Sequence, residues 1–370
     1  MNRRVHSIKY ILICFAMCTI FCYGCSTDNQ KPRGVVDLQQ IDVKFNVGED
    51  ETATCTYRDG KDMIFSIGSR NGKPEGPLLN TDRLVLYNIE RQTEKVFSLD
   101  IGEYVYRAVK VNDGVLYAVY ELRDDDRYNW YLRYLEDDGE KTVDSGICGS
   151  YDDIPAIQMI GDIPYYLYTD QHEKSDLKYE LGVRRFEDNE VETVLAKKKK
   201  TNDGMSLFLS NGQEYCFLTG KDFPTVCIGD ASGIKHEQKL DMKMIDYGIN
   251  DDYVICSLGT EDKGKEELAL VSINIKTGDL VKSEAKEQYY RTQGSGDVFL
   301  CVDWQFTPYR MDVDEDGLVT IAELEYPEAV DLPNSPVLFY PLGNRDYMMC
   351  YDRKISSSES VDEYYRFRLE

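Results

Sequence analysis

The sequence predicts an all-β fold, a β-propeller of seven four-stranded blades closed by strands from the N-terminal and C-terminal regions. Three observations indicate it: a repeat with a period near 45 residues, apolar segments that alternate with a period of two, and an incomplete last unit. The repeat is clearest in the second hairpin of each unit. Six of these hairpins start at Leu84, Trp130, Leu181, Thr225, Leu268 and Pro308, at spacings of 46, 51, 44, 43 and 40 residues. Four short antiparallel strands at this period are typical of a propeller blade.

Each unit opens with an apolar segment, a turn rich in Asn, Asp and Gly, and then an aromatic strand. Such turn residues supply the positive φ angles that two-residue hairpins need. The turns are Asp59-Gly60, Asn112-Asp113-Gly114, Gly161-Asp162, Asn211-Gly212, Asn250-Asp251, Gly294-Ser295-Gly296 and Gly343-Asn344. A helical solenoid would instead require apolar residues at a spacing of 3.6.

The seventh unit has only three strand patterns, at 337–342, 346–351 and 364–369. A fourth alternating segment, 36–47, precedes the first unit. Pairing of this segment with the last strand would close the ring and remove both unpaired sheet edges, which otherwise template aggregation. We therefore expect the N-terminal segment to complete the last blade.

One turn carries a family resemblance. The segment Asn274–Asp279 reads NIKTGD and resembles the D-x-x-T-G-K turn of the YncE and TolB-like propellers of exported bacterial proteins. The general style of the repeat is similar over residues 36–370. The resemblance implies a seven-bladed propeller outside the cytoplasm.

The N-terminal region has the pattern of a bacterial export signal. Basic Arg3, Arg4 and Lys9 precede an apolar run from 10 to 23, which is short for a membrane-spanning helix. Gly24, Cys25 and Ser26 follow, and this sequence resembles the lipobox of bacterial lipoproteins. In that family, the cysteine is diacylated and becomes the mature N-terminus. An uncleaved anchor and an ordinary secretory signal are the alternatives.

These patterns divide the chain into three parts. Residues 1–24 are predicted to be a lipoprotein signal peptide, 25–35 a lipid-anchored tether, and 36–370 the propeller. The resemblance implies diacylglycerol and palmitate on Cys25. It also implies attachment to the cell membrane by that lipid, with the propeller on the extracytoplasmic side.

The charge of the chain excludes one class of partner. The formal net charge is −24, from 43 basic and 67 acidic residues. A protein that binds nucleic acid by neutralising phosphates needs a basic surface, so no nucleic-acid partner is predicted. Docking on anionic lipid by charge alone is equally unfavourable.

Seven cysteines follow Cys25, an odd number that excludes a complete disulfide framework. Cys216, Cys256, Cys301 and Cys350 occupy nearly the same place in four successive units. Equivalent positions on stacked sheets lie about 10 Å apart, whereas a disulfide needs Cα atoms within about 7 Å. We expect these four thiols to be buried and unpaired, as small hydrophobic residues.

The segment from Asp312 to Glu323 satisfies the calcium pattern D-x-D-x-D-G-x5-E, with Asp314 and Asp316 as further ligands and Gly317 at the turn. Its flanks read as strands, and its register matches the second hairpin of the other blades. An acidic hairpin turn is therefore the competing interpretation. No cofactor is predicted other than this calcium ion.

The remaining candidate residues lie in loops from the second to the third strand of a blade, or in connectors between blades. Acidic and aromatic side chains there suit a protein, peptide or glycan ligand, and a solvated rim is the alternative. The candidates are Asp125, Tyr128, Trp130, Asp153, His172, Asp303 and Trp304.

The functional prediction is a non-catalytic binding or scaffold propeller. The sequence contains no G-x-S-x-G elbow and no local Ser/His/Asp set, so no catalytic residue is assigned. The alternative is a hydrolase or lyase that acts on glycan or peptide through carboxylates on the propeller face.

Overall fold

The computed structural model describes residues 34–43, 47–48, 51–59, 61–69, 80–137, 139–171, 179–199, 205–220, 223–262, 265–325, 338–354 and 360–370. Within these ranges the chain forms twenty-seven β-strands and one short 3-10 turn, Tyr151–Asp153. The strands make seven blades, each of four antiparallel strands, and this confirms the predicted fold class. No helix in the described ranges has the length and apolar composition needed to span a bilayer.

The strands are numbered in chain order, and each blade is built from the ring axis outward. The N-terminal strand β1 is Val35–Ile41. The strands of blades 1 and 2 are β2 (Glu51–Arg58), β3 (Asp62–Ser69), β4 (Asn80–Asn88), β5 (Thr93–Val111), β6 (Gly114–Leu122), β7 (Tyr128–Glu136) and β8 (Gly139–Cys148). Those of blades 3 and 4 are β9 (Ala156–Ile160), β10 (Ile163–Asp170), β11 (Tyr179–Glu187), β12 (Glu190–Lys199), β13 (Met205–Ser210), β14 (Tyr215–Thr219), β15 (Thr225–Asp230) and β16 (Gly233–Lys239).

The last three blades follow the same plan. Their strands are β17 (Lys243–Ile249), β18 (Tyr253–Asp262), β19 (Lys265–Asn274), β20 (Leu280–Glu284), β21 (Tyr290–Ser295), β22 (Val298–Val302), β23 (Pro308–Val313), β24 (Val319–Glu323), β25 (Leu338–Gly343), β26 (Asp346–Lys354) and β27 (Ser360–Leu369). One strand belongs to two blades. The 19-residue strand β5 is the outer strand of blade 1 and the inner strand of blade 2, so these two blades form one seven-stranded sheet.

The ring closes as predicted, between β1 and β27. The antiparallel register pairs Val35 with Leu369 and Ile41 with Tyr364, which makes β1 the outermost strand of blade 7. The strand is shorter than the predicted segment 36–47, because its pairing ends at Ile41. The amide of Val35 also donates to the carbonyl of Glu325 at 2.9 Å, which ties β1 to blade 6.

The core lies between adjacent blades, and the second strand of each blade supplies much of it. In β6, for example, the seven residues from Gly114 to Tyr120 are all buried. Cys216, Cys256 and Cys301 are fully buried, Cys350 is 7% exposed, and none of the four forms a disulfide. The prediction of four buried cysteines in second strands, with no disulfide between them, is therefore confirmed.

Candidate functional site

A cavity of about 460 Å³ lies on the axis of the ring and is lined by all seven innermost strands. Its volume falls in the range of small-ligand pockets, about 300–1,000 Å³. The lining segments are Thr56–Asp59, Arg107–Val109, Ile157–Met159, Leu209–Gly212, Thr292–Gly296 and Tyr340–Gly343, together with Ile249 and Asp251. These segments are the ends of the inner strands and their first turns. We call this space the axial cavity.

Irregular pairing of the inner strands shapes the cavity wall. Six of the seven inner strands, all but β9, have a register shift against the second strand of their blade. The shift in β2 lies between Cys55 and Tyr57, and the shift in β5 lies between Val105 and Arg107. A β-bulge leaves a residue outside the ladder and changes the direction of nearby side chains. The bulge in β5 immediately precedes Arg107, and the bulge in β2 is followed by Tyr57 and then Arg58; both arginines line the cavity.

Arg58 lies against the aromatic ring of Tyr340 from blade 7. The guanidinium carbon is 3.4 Å from the ring centroid, within the range of a cation–π contact. Nη2 donates to the carbonyl of Cys55 at 3.5 Å, and the buried Nε atom has no hydrogen-bond partner within the described ranges. No carboxylate among the described residues pairs with this guanidinium. Within the described residues, the cavity wall therefore contains an arginine that lacks a direct ion-pair partner.

Arg107 provides a second positive charge from blade 2. Its side chain is exposed, and its guanidinium carbon is 5.4 Å from the ring centroid of Tyr106. Like Arg58, it forms no ion pair within the described ranges. Burial raises the pKa of Tyr340, and the nearby charges of Arg58 and Arg107 oppose that rise. Both guanidinium groups are thus close enough to one phenol to affect its ionisation.

The opposite rim of the cavity is acidic. Asp251 follows β17 in blade 5, and in a ring of seven blades this position lies across the axis from blades 1 and 2. Burial raises the pKa of Asp251, and the negative charges of Asp252, Asp297 and Glu214 raise it further. Two of these neighbours are paired, since Lys276 contacts Asp252 at 2.8 Å and Arg345 contacts Asp297. The axial cavity therefore has Arg58 and Arg107 on one side, where Asp59 also lines it, and Asp251 on the opposite rim.

The residues predicted from the sequence as a ligand-binding face lie elsewhere. We call their region the open face, the end of the propeller that carries the loops from second to third strands and the connectors between blades. Asp125 is exposed there and is held between Arg127 and Arg123, which lower its pKa to about 2. Tyr128 is half-buried, with its ring centroid 5.8 Å from that of Tyr120. Asp153 is half-buried in the 3-10 turn that connects blades 2 and 3.

Blade 6 supplies two more of these residues. Asp303 is only 4% exposed, and one of its carboxylate oxygens accepts hydrogen bonds from the amides of Gln305 and Thr307, both at 2.8 Å. Trp304, at the tip of the same loop, is 67% exposed. His172 lies outside the described residues, as does Cys25. The structure thus distributes these residues over several blades and does not gather them into one cleft.

Trp130 is not part of the surface, which corrects its assignment to the open face. The side chain is fully buried, and its indole N–H donates to the carbonyl of Thr169 in blade 3 at 2.8 Å. The residue shares one side of β7 with buried Leu132 and Tyr134, so the period-two pattern of the strand places it in the core. Its role is packing between blades 2 and 3.

The four predicted calcium ligands do not converge. Asp312 pairs with fully buried Arg310, and their closest atoms are 2.7 Å apart. One oxygen of Asp314 accepts hydrogen bonds from the amides of Asp316 and Leu318, at 3.0 and 2.8 Å. Glu323 pairs with Tyr309 at the far end of the hairpin.

The described part of the chain contains no group of three or more His, Cys, Asp or Glu residues arranged to hold a metal. In this hairpin the geometry matches the acidic-turn interpretation, in which Asp314 organises the turn. Calcium binding by the turn stays a prediction.

Comparison with known proteins supports the fold. No protein-family model matches the chain, and no curated protein matches its sequence. Among solved structures, the β-propeller domain of the Trilobed protease from Pyrococcus furiosus has a TM-score of 0.53 at 8% identity, over 87% of this chain and 94% of that one. Polysaccharide lyase Uly1 has a TM-score of 0.51 at 8% identity, over 90% and 92%. A prolyl endopeptidase has a TM-score of 0.53 at 14% identity, over 85% of this chain and 46% of the endopeptidase.

At these identities the similarities establish the propeller architecture and nothing about activity, because one fold supports many functions. One difference is visible in the topology. The Pyrococcus domain has an open velcro topology, whereas this propeller closes its last blade with the N-terminal strand β1.

Proposed function

We propose that the protein is a non-catalytic binding propeller whose peptide, protein or glycan ligand enters the axial cavity. We further propose that it is anchored to the extracytoplasmic face of the cell membrane by lipid on Cys25. The observation that supports a binding site is the cavity itself, a pocket of ligand size with Arg58 and Arg107 on one side and Asp251 on the opposite rim. Pockets of this kind orient a ligand through a few polar groups in an otherwise apolar wall.

The hydroxyl groups of the wall favour binding over catalysis. Ser210 donates to the carbonyl of Met159 at 3.0 Å and accepts from the amide of Gly212 at 2.9 Å. Ser295 donates to the carbonyl of Asp346 at 3.0 Å. A nucleophilic serine needs a neighbouring base, and the one described histidine, His236, lies in the outer strand β16. Within the described residues, these serines serve to join adjacent blades.

Blocking the cavity tests this proposal. Gln293 and Leu342 line the cavity from blades 6 and 7, and replacing either with Trp would fill part of it. Leu280→Trp, on the exposed outer strand β20, is the matched control. A ligand found by screening peptide and glycan arrays with the wild-type chain should lose at least tenfold in affinity with Gln293→Trp and Leu342→Trp, and should keep its affinity with Leu280→Trp. Equal binding by all three variants would place the ligand on another surface.

A hydrolase or lyase is the second candidate, and Asp251 is the observation that favours it. A carboxyl group with a raised pKa at the edge of a pocket is suited to act as a general acid. The enzyme hypothesis expects mass spectrometry to detect cleaved products from the array ligand, and expects Asp251→Asn to abolish them. If the protein only binds its ligand, the ligand should stay intact with both the wild type and Asp251→Asn.

The lipid anchor rests on the sequence of residues 24–26 and needs its own test. Labelled palmitate should be incorporated into the wild-type protein in a bacterial host, and Cys25→Ala should remove the label and the membrane attachment. Unchanged labelling of the variant would contradict the anchor and leave the binding proposal intact.

A further inference from the structure

We propose that Arg58 and Arg107 form a carboxylate subsite in the axial cavity, and that the ligand is a short peptide whose free C-terminus binds there. This inference rests on the proposed binding function and specifies the ligand. The peptide would extend across the cavity and place its positively charged amino end near Asp251.

Arg58 has unused hydrogen-bonding capacity. A guanidinium has five N–H donors, and among the described residues Arg58 makes a single hydrogen bond, at 3.5 Å. Its Nε atom is buried and has no partner in that part of the chain. A buried polar group without a partner is costly, and a buried charge more so. A bound anion would therefore remove a penalty that the unliganded protein carries.

Arg58 and Arg107 contrast with other arginines in this acidic chain. Arg83 forms a two-pronged pair with Glu51 at 2.6 and 2.7 Å, and buried Arg310 pairs with Asp312. Arg184 contacts Asp144 at 2.7 Å. Carboxylates are abundant, with 67 in the sequence against 43 basic residues. Two arginines that face one cavity and have no such partner in the described part of the chain are consistent with a carboxylate that the ligand supplies.

The Arg58 guanidinium is also oriented by its surroundings. Contact with the Tyr340 ring, 3.4 Å from the Arg58 guanidinium carbon, restrains the Arg58 side chain. A guanidinium held against an aromatic ring keeps its in-plane N–H groups free for a carboxylate, to which it can bind in a two-pronged manner. Arg107, on the neighbouring inner strand, adds a second, more exposed charge. Together they match the planar carboxylate better than a single lysine would.

The negative charge of the opposite rim favours a peptide ligand over an acidic sugar. The rim across from the arginines carries Asp251, with Asp252, Asp297 and Glu214 around it. An oligosaccharide with several carboxylates would bring like charges together at this rim, whereas the ammonium group of a peptide would be attracted to it. A cavity of about 460 Å³ suits a short peptide.

Isothermal titration calorimetry with the full chain tests the proposal. The probes are trialanine, trialanine amide, N-acetyl-trialanine and trigalacturonate. Trialanine should bind, and amidation of its C-terminus should weaken binding at least tenfold. Arg58→Gln and Arg107→Gln should each weaken trialanine binding at least tenfold. Arg91→Gln, an exposed arginine in the turn after β4, is the matched control and should bind like the wild type.

The amino end is tested by a second pair of measurements. Asp251→Asn should weaken binding of trialanine and leave binding of N-acetyl-trialanine unchanged, because the acetylated peptide has no ammonium group. Since Arg107 is exposed, Arg107→Gln keeps the test valid if Arg58→Gln does not fold.

Three results would overturn the proposal: no trialanine binding at millimolar concentration, equal binding of peptide and amide, or tighter binding of trigalacturonate. If one of them is found while Gln293→Trp still abolishes binding of the array ligand, the carboxylate subsite is wrong and the axial binding site stands. If Gln293→Trp has no effect on the array ligand either, the proposed function fails as well.

Discussion

The axial cavity and the open face both carry charged and aromatic side chains, and they differ in what those side chains contact. On the open face, Asp125 lies between two arginines of its own loop, and Asp303 accepts hydrogen bonds from the amides of its own turn. In the cavity, Arg58 and Arg107 have no carboxylate partner among the described residues, and Asp251 has a raised pKa. The first group of charges stabilises loops, and under the proposed function the second group binds the ligand.

This difference shows why the number of acidic residues in a loop is a weak guide to a binding site. An Asp at the start of a turn is commonly required by the turn, because its carboxylate satisfies backbone amides. A charge without a local partner, in a pocket, has no such structural explanation. The open face retains exposed aromatic residues, Trp304 and Phe306, which suit contact with another macromolecule.

The two tryptophans of the sequence give the largest expected difference between surface and core. Trp130→Ala should lower the free energy of unfolding by about 3–5 kcal/mol, because it leaves a large cavity between blades 2 and 3. Trp304→Ala should change it by no more than about 0.5 kcal/mol, because the side chain is exposed. Urea denaturation monitored by circular dichroism measures both. A small effect of Trp130→Ala would contradict its burial and support its original assignment to the open face.

The acidic turn of blade 6 tests the same distinction at a position predicted to bind calcium. Asp314→Ala should lower the free energy of unfolding by about 1 kcal/mol, because two backbone amides lose their acceptor. If the turn needs only these hydrogen bonds, the loss should be equal in EDTA and in millimolar calcium. Differential scanning calorimetry checks this. A melting temperature that rises with calcium in the wild type but not in Asp314→Ala would establish the calcium site.

The contributions of Asp251 and Asp125 to folding stability should change with pH in opposite directions. These are the smallest effects on stability predicted here. The pKa of Asp251 is raised above its ordinary value of 3.8, so its ionisation disfavours the folded state. That cost is absent below pH 3.8, where Asp251 is protonated in both states, and is complete above its folded pKa. Asp251→Asn should therefore raise stability at pH 7 and lose this advantage in acid.

The pKa shift of Asp125 has the opposite sign. Its pKa of about 2 lies below 3.8, so its charge stabilises the folded state above pH 3.8 and this contribution is lost as the pH falls through 2. Asp125→Asn should lower stability slightly at pH 7. Carbon-13 NMR titration of the two carboxyl groups, with urea denaturation across the pH range, measures both effects. Equal carboxyl pKa values would remove the contrast between the two regions.

The architecture was predictable from the sequence because the repeat encodes it. Turn dipeptides such as Asn211-Gly212 mark each first hairpin, and the missing fourth strand of the last unit pointed to β1. The burial of Trp130 could also have been predicted from the sequence, since it alternates in step with Leu132 and Tyr134. The cavity residues could not be predicted in this way, because a β-bulge depends on how two strands pair, and pairing register is set by packing across blades.

Closure of the ring by β1 has a mechanical consequence for a protein held through the residues before Gly34. Any tension on that tether would enter the propeller at Val35 and load the hydrogen bonds between β1 and β27 first. The bond from the Val35 amide to Glu325 would transfer part of the load to blade 6. The strand that completes the ring is thus also the first element to resist pulling, and detaching it would open blade 7 while blades 1 and 2 stay joined through β5.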